Sequence, residues 1–192
     1  MVKLYQNFDI RKNDKGSIIL IGNFDGVHLG HQKLFKQAQF YKKKYNLKIG
    51  VVNFNPMPKM FFNNRLENFR ISSLEQKIDQ LNNLQVDFVI NKKFNKKFSK
   101  TKSINFIKNI LSQKLDSRFI FVSNNFRFGN KREGDVNQLV KNENIYNYKI
   151  VKPRPLIIEK KIISSTYVRS LLEKGKLKKA NKLLSRNWAI DG

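Results

Sequence analysis

The chain has no cysteine, which excludes disulfide scaffolding, zinc–cysteine sites, iron–sulfur clusters and thiol catalysis. Acidic residues are scarce: 14 Asp and Glu stand against 39 Lys and Arg, a net charge of +25. Long apolar runs are missing too, and Gly22 ends the run Ile18 to Ile21 far short of a membrane span. No apolar stretch of signal-peptide length follows Lys3. These absences lead us to expect a cytoplasmic protein with no membrane partner. What remains is enough for a core. Over 192 residues the chain is 40% hydrophobic and 12% aromatic, with 16 Phe, which suits one large folded domain and excludes a disordered or fibrous chain.

The basic excess attracts polyanions in general. Only nine of the 39 basic residues are Arg, however, and the chain also carries 24 Asn. Arg is the residue that reads phosphates and guanine edges with a planar fork. The charge is therefore read as a solvated Lys- and Asn-rich surface, and no specific nucleic-acid partner is expected.

Apolar periodicity alternates between strand and helix. Strands are expected at Ile18 to Ile21, Ile49 to Phe54, Val86 to Ile90, Phe119 to Val122, Tyr148 to Val151 and Ile157 to Ile163. Helices are expected at Leu29 to Tyr45, Leu74 to Leu84, Ser103 to Leu115, Thr166 to Lys174 and Lys176 to Leu184. Ser73 and Gln76 are spaced to close a capping box on the second of these. Residues 55 to 72 read as a long loop with one turn of helix, and Ser123 to Asp135 as a polar and aromatic loop. The alternation predicts βαβ units and an α/β fold around a mostly parallel sheet. No linker interrupts the pattern before about residue 185. The tail from Ser185 to Gly192, whose bulky apolar residues are Trp188 and Ile190, cannot build a core and reads as the start of a further element.

Two clusters carry chemistry. Gly22-Asn23-Phe24-Asp25-Gly26-Val27-His28-Leu29-Gly30-His31 follows the first strand and opens the first helix. In open α/β sheets ligands sit at the carboxyl ends of strands, and Gly22, Gly26 and Gly30 permit a close backbone approach. The helix start offers unpaired N–H groups to a phosphate. Both histidines of the chain lie here, at 28 and 31. They are read as phosphate contacts, with backbone capping as the alternative. A metal site is not expected, because two His with only Asp25 nearby make a thin ligand set. The glycines match neither the dinucleotide-binding spacing nor a Walker loop, since the segment Gly129 to Gly134 leads to Asp135 instead of Lys. In the second cluster, Ile163-Ser164-Ser165-Thr166-Tyr167-Val168-Arg169, hydroxyls can cap a helix or donate to an anion, and Arg169 can reach the same anion one turn on.

His28-Leu-Gly-His31 resembles the His-x-Gly-His signature of the nucleotidyltransferase superfamily, and Ile163-Ser-Ser-Thr-x-x-Arg169 resembles its second signature. The longer string Gly22 to Gln32 is similar to the adenylyltransferase domain of bacterial bifunctional riboflavin kinase/FAD synthetases. So are Phe54-Asn-Pro56-Met-Pro58, Asn125-Phe126-Arg-Phe128-Gly129 with Arg132, and Leu183-Leu-Ser-Arg186. Three positions depart from the family: Asn55-Pro-Met57-Pro replaces Asp-Pro-His-Pro, Ser123 replaces a Gly, and Ser185 replaces the Gly of Leu-Gly-Arg. The resemblance implies a Rossmann-like nucleotidyltransferase fold over residues 1–185. It also implies that 186–192 is a tail which in the family leads into a riboflavin kinase domain, absent here. The implied reaction transfers AMP from ATP, with Mg²⁺, to FMN, giving FAD and pyrophosphate. A separate riboflavin kinase would supply the FMN.

By the same resemblance His28, His31 and Arg169 are the catalytic set, while Gly22, Phe24, Asp25, Gly26, Gly30, Ser164, Ser165 and Thr166 hold the nucleotide. Phe54, Pro56, Pro58, Asn125, Phe126, Phe128 and Arg132 are expected at the flavin, with Phe61 and Phe62 as further lining. Core packing is the alternative for the Phe residues. Two other functions remain open at this point: a nucleotidyltransferase for another phosphate acceptor, and a non-catalytic basic module that binds nucleic acid.

Overall fold

The computed structural model describes residues 1–63, 65, 66 and 70–190. Positions 64 and 67–69 of the expected 55-to-72 loop and 191–192 of the tail lie outside the described residues. A six-stranded parallel sheet forms the centre, built from β1 (Lys3–Tyr5), β2 (Ile18–Ile21), β3 (Ile49–Asn55), β4 (Phe88–Lys93), β5 (Phe119–Phe121) and the strand Lys149–Val151. Every residue of β2 is buried, with Ile18, Ile19 and Leu20 at 0% exposure. That is why its sequence is continuously apolar instead of alternating. Burying each such side chain contributes roughly 1.5–3 kcal/mol.

Ile18 and Leu20 face a layer formed by α1 (Leu29–Tyr45) and, after the short α2 (Pro58–Phe62), by α3 (Leu74–Asn83). Phe35 and Ala38 of α1 and Leu81 of α3 fill that side. Ile19 and Ile21 face the opposite core. Beyond α4 (Lys96–Ser99), the helix expected at 103 to 115 is present as α5 (Ser103–Asn105), continued by the π-helical segment Phe106–Lys114, which supplies Phe106, Ile107, Ile110 and Leu111 to that core.

The order across the sheet is β1-β4-β3-β2-β5 followed by Lys149–Val151. From β2 the chain builds outward to β3 and β4, then returns to the other side of β2 to lay down β5. The strand order thus reverses at β2, and open α/β sheets bind ligands outside the carboxyl ends of the strands at such a reversal. The fold is Rossmann-like, as expected.

Several elements differ from the sequence reading. β1 was not anticipated, because its three residues are exposed or half-buried and carry no apolar period. The 123-to-135 loop holds a small hairpin, β6 (Arg127–Phe128) against β7 (Gly134–Asp135), followed by α6 (Val136–Lys141), capped by Asp135. The sheet strand Lys149–Val151 is thus β8. The segment expected as one strand from 157 to 163 is a separate hairpin, β9 (Ile157–Ile158) with β10 (Lys161–Ile162). It turns at Glu159 and Lys160, both left-handed at φ 49° and 61°. Such turns favour Gly or Asn, and their lack hid this one.

The described part of the tail makes contacts that the sequence reading did not address. α7 (Ser165–Glu173) and α8 (Leu177–Leu184) pack with Ile71 and Ile163, and Trp188 joins that cluster. Its Nε1–H donates to the Ile71 carbonyl at 2.8 Å. The segment after α8 is therefore docked through Trp188 and Ala189, while Ile190 is exposed. Among the described residues no helix is long and apolar enough to cross a membrane.

Candidate active site

The turn after β2 is held in an unfavourable shape. Phe24, Gly26 and Val27 have φ of 46°, 76° and 40°, a region costly for a β-branched residue such as Val27. Neighbours fix it from several sides. Gly26 N–H donates to Ser72 Oγ at 3.3 Å, and Gln32 Nε2 donates to the Val27 carbonyl at 3.0 Å. A Cβ on Gly26 would meet the Ile71 side chain at 2.8 Å, so only glycine fits. Strain sustained in this way is typical of ligand-binding turns.

This turn delivers the two histidines. His28 caps α1, its Nδ1 accepting the His31 N–H at 3.4 Å. The imidazoles stack at 3.7 Å and 19°, and Phe24 lies edge-on to His31 at 5.2 Å. Burial pushes the His28 pKa down to about 4, with the Arg169 and Arg186 charges acting in the same direction. His31 is held well below the usual imidazole range by burial, then by His28 and Lys77. Both rings are neutral at pH 7. With Nδ1 of His28 accepting, its proton sits on Nε2, which is buried without a partner, as is Nδ1 of His31. Buried polar atoms of this kind are rare unless a ligand completes them.

The second cluster meets the first. Ser165 Oγ donates to the Asp25 carbonyl at 2.9 Å, and Arg169 Nη1 lies 2.7 Å from Asp25 Oδ2. A Cβ on Gly30 would come within 2.9 Å of the Ile163 carbonyl oxygen. Asp25 also accepts the Ile71 N–H through both oxygens, at 3.0 and 3.1 Å. Burial pushes its pKa up, opposed by the Ile71 hydrogen bond and by the charges of Lys77 and Arg169. Ser164 caps α7 by accepting the Tyr167 N–H at 3.2 Å, and Thr166 is exposed in the first turn. Arg169, read from the sequence as an anion contact, pairs here with Asp25, and the pair ties the two turns together.

Two cations of this centre were given no role in the sequence analysis, although Arg186 closes the motif that begins at Leu183. Lys77 is buried on α3 and donates to Asn53 Oδ1 at 3.2 Å, while Asn53 Nδ2 donates to Asn91 Oδ1 at 2.8 Å. Burial lowers its pKa to about 8 against the opposing pull of Asp25. The available signal was a lysine on the same helix face as Leu74, Ile78 and Leu81. Arg186, beyond α8, donates through Nη1 to the Gly26 carbonyl at 2.9 Å.

Of the expected flavin contacts, the Phe residues form a connected chain of rings. Phe54 ends β3 and packs on Phe98 at 5.6 Å; Phe98 reaches Phe106 at 6.5 Å, and Phe106 reaches Phe128 at 5.6 Å. Phe126 stacks on Phe128 at 5.5 Å and 16°. Phe128 is 7% exposed and belongs to the core, while Phe126 is half-buried above it. Phe61 and Phe62 pack on Phe94. Pro56 and Pro58 are half-buried, and Pro58 opens α2. Asn125 is exposed, accepting from Ser123 Oγ at 2.9 Å, and Arg132 is exposed in the turn between β6 and β7. Gly22 continues β2's ladder, its N–H donating to the Val52 carbonyl at 3.1 Å.

Among the described residues no group of three or more His, Cys, Asp or Glu is placed to hold a metal ion. A surface cleft of about 450 Å³ lies at the opposite end of the sheet, between Lys3, Lys42, Lys48, Asp14 and Asp87. Its charges are already matched: Lys3, Lys48 and Tyr5 all donate to the buried Asp14 carboxylate. The unpartnered imidazoles make the β2 end the stronger candidate.

Comparison with known proteins gives the chain's family and relatives. Residues 10–167 match the family described as FAD synthetase. A bifunctional riboflavin kinase/FMN adenylyltransferase of Buchnera aphidicola subsp. Schizaphis graminum is 39% identical over 185 residues, 96% of this chain and 59% of the relative. The Escherichia coli K12 protein of the same name is 35% identical over 178 residues, 93% of this chain and 57% of its own length. The chain thus spans less than two thirds of these curated relatives. A crystal structure of a macrolide-efflux protein from Streptococcus pneumoniae superposes with a TM-score of 0.82 at 25% identity, covering 98% of this chain and 72% of that one.

Proposed function

The chain belongs to the FAD synthetase family, and from that premise we propose that it is an FMN adenylyltransferase, joining AMP from ATP to the phosphate of FMN. A phosphate oxygen of FMN attacks the α-phosphorus of ATP. A new P–O bond forms, the bond from the α-phosphorus to the bridging oxygen of the β-phosphate breaks, and pyrophosphate leaves. The FMN phosphate is already an anionic nucleophile, so the protein needs no side-chain nucleophile and no strong base. Its work is to hold two anions in line and to stabilise charge on the transferring group.

The observation that carries this reading is the joining of both turns at Asp25, beside two neutral imidazoles with buried unpaired nitrogens. On this reading His28 Nε2–H and the His31 ring donate to phosphate oxygens at no cost in deprotonation. Thr166 and the start of α7 receive the β- and γ-phosphates, with Ser164 and Ser165 fixing that turn. Arg169 locks Asp25 and turns its remaining positive charge toward the departing pyrophosphate. Gly22, Gly26 and Gly30 let the backbone approach the triphosphate. The Mg²⁺ accompanying ATP is read as bound to phosphate oxygens and water, since Mg²⁺ keeps much of its hydration and commonly rides on substrate phosphates. Phe54, Pro56, Pro58 and Phe126 wall an apolar slot for the flavin, Phe128 supports it from below, and Asn125 and Arg132 offer polar contacts at its mouth.

The test is chromatographic. Purified protein with ATP, Mg²⁺ and FMN should convert FMN to FAD. His31→Ala should lower the rate by about 100- to 1000-fold, the usual effect of removing one transition-state donor, while the circular dichroism spectrum stays unchanged. No FAD from the parent protein would refute the assignment; an undiminished His31→Ala variant would refute the histidine's role.

A further inference from the structure

The charge around Asp25 is not balanced. Lys77 and Arg169 both act on the Asp25 carboxylate, and a third cation, Arg186, lies close enough to act on His28 of the same turn. Arg169 pairs with that carboxylate directly and Lys77 rests on Asn53. Arg186 is different. It is half-buried, and Nη1 donates to two backbone carbonyls, Gly26 at 2.9 Å and Leu184 at 3.2 Å. Among the described residues no carboxylate pairs with it, and its Nε and Nη2 hydrogens have no protein acceptor. Burial is the one influence on its ionisation, with no counter-charge opposing it. A guanidinium has five N–H donors in a planar fork, and a partly desolvated cation is costly unless an anion meets it. Carbonyls orient the fork without neutralising it.

The place of this fork is specific. Gly26 belongs to the strained turn that carries His28, and the charge of Arg186 is close enough to help keep His28 unprotonated. Gln32 of α1 donates to the Leu184 carbonyl at 3.3 Å and to Ser185 Oγ at 2.6 Å, so the residues just before Arg186 are bound to the histidine-bearing helix.

We propose that Arg186 is a binding residue for the polyphosphate of the nucleotide, its free N–H edge receiving oxygens of the departing pyrophosphate beside His28. The substrate class is a nucleoside triphosphate, and naming it ATP rests on the adenylyltransferase reading above. Arg169, paired with Asp25, positions the turn and lends its charge from there, and Arg186 adds a direct contact to the ligand. The balance of the reaction is unchanged, because Arg186 contributes hydrogen bonds and charge without transferring a proton.

Isothermal titration of the parent protein, Arg186→Gln and Arg186→Lys with ATP, inorganic pyrophosphate and adenosine tests this. Gln keeps an N–H able to hold the Gly26 carbonyl but loses the charge. We expect ATP and pyrophosphate to bind Arg186→Gln roughly 10- to 100-fold more weakly, the usual loss for a charge-assisted hydrogen bond. Adenosine should bind as it does to the parent. Arg186→Lys keeps the charge without the fork and should fall between the two, which also serves if the Gln variant folds poorly. Unchanged ATP and pyrophosphate affinity would overturn the proposal. So would a parallel loss of adenosine, which would make Arg186 a clamp on the turn only, or a parent protein that does not bind pyrophosphate. If the parent makes no FAD while pyrophosphate binding still depends on Arg186, the adenylyltransferase reading fails and this one stands.

Discussion

At the scale of single residues, the site is governed by what burial does to charge. His28 is 3% exposed, and its pKa falls to about 4 mainly because the charged ring would lose water. In the unfolded chain the same ring takes up a proton near its ordinary value of 6.5. Between those two pH values the unfolded state binds more protons, so stability drops as pH falls from 6.5 toward 4. Thermal unfolding followed over that range should show the decline, and His28→Asn, which removes the titrating ring, should make it shallower. An identical slope in parent and variant would mean the ring is protonated in the fold. The histidines were legible because the chain has only two and both sit in one turn. Lys77 and Arg186 were not. A lysine on a helix reads as exposed by default, and Arg186 lies 160 positions from the Gly26 carbonyl it holds, a distance that no local spacing rule spans.

Among the elements, β2, α1 and α3 are the ones where local signals and tertiary packing agree. α1 runs over the expected residues, and α3 begins with the expected box: Ser73 Oγ accepts the Gln76 N–H at 3.1 Å, and Gln76 Oε1 accepts the Ser73 N–H at 3.2 Å. β9 and β10 were misread because a run of isoleucines and lysines with no turn residue looks continuous. The docking of Trp188 was invisible because its acceptor, the Ile71 carbonyl, is distant in sequence. The convergence of the two turns was legible only through the motifs, and Gly30 is where it is most exposed to substitution. On helix propensity alone, Gly30→Ala should stabilise α1 by about 1 kcal/mol. The added Cβ would instead press on the Ile163 carbonyl at 2.9 Å and the His28 ring at 3.1 Å. We expect the steric term to win, with a net destabilisation of about 1–3 kcal/mol and slower FAD formation. A raised melting temperature with full activity would show that the turns are less closely joined than described.

For the whole molecule, the reversal of strand order at β2 decides where chemistry can occur. Three features coincide at that end of the sheet: the strained turn, the hydroxyl-bearing start of α7 and the aromatic chain from Phe54 to Phe126. A surplus of +25 draws polyanions to the surface generally, but screening weakens such attraction over about 8–10 Å in physiological salt. The site is distinguished by its unpaired donors, not by the overall field. The account therefore stands or falls on which phosphorus of ATP is attacked. A single turnover with FMN and ATP labelled at the α-phosphorus should carry the label into FAD, whereas label at the γ-phosphorus should appear only in pyrophosphate. Label from the γ-phosphorus in the flavin, or α-label remaining wholly in adenine nucleotide, would contradict it.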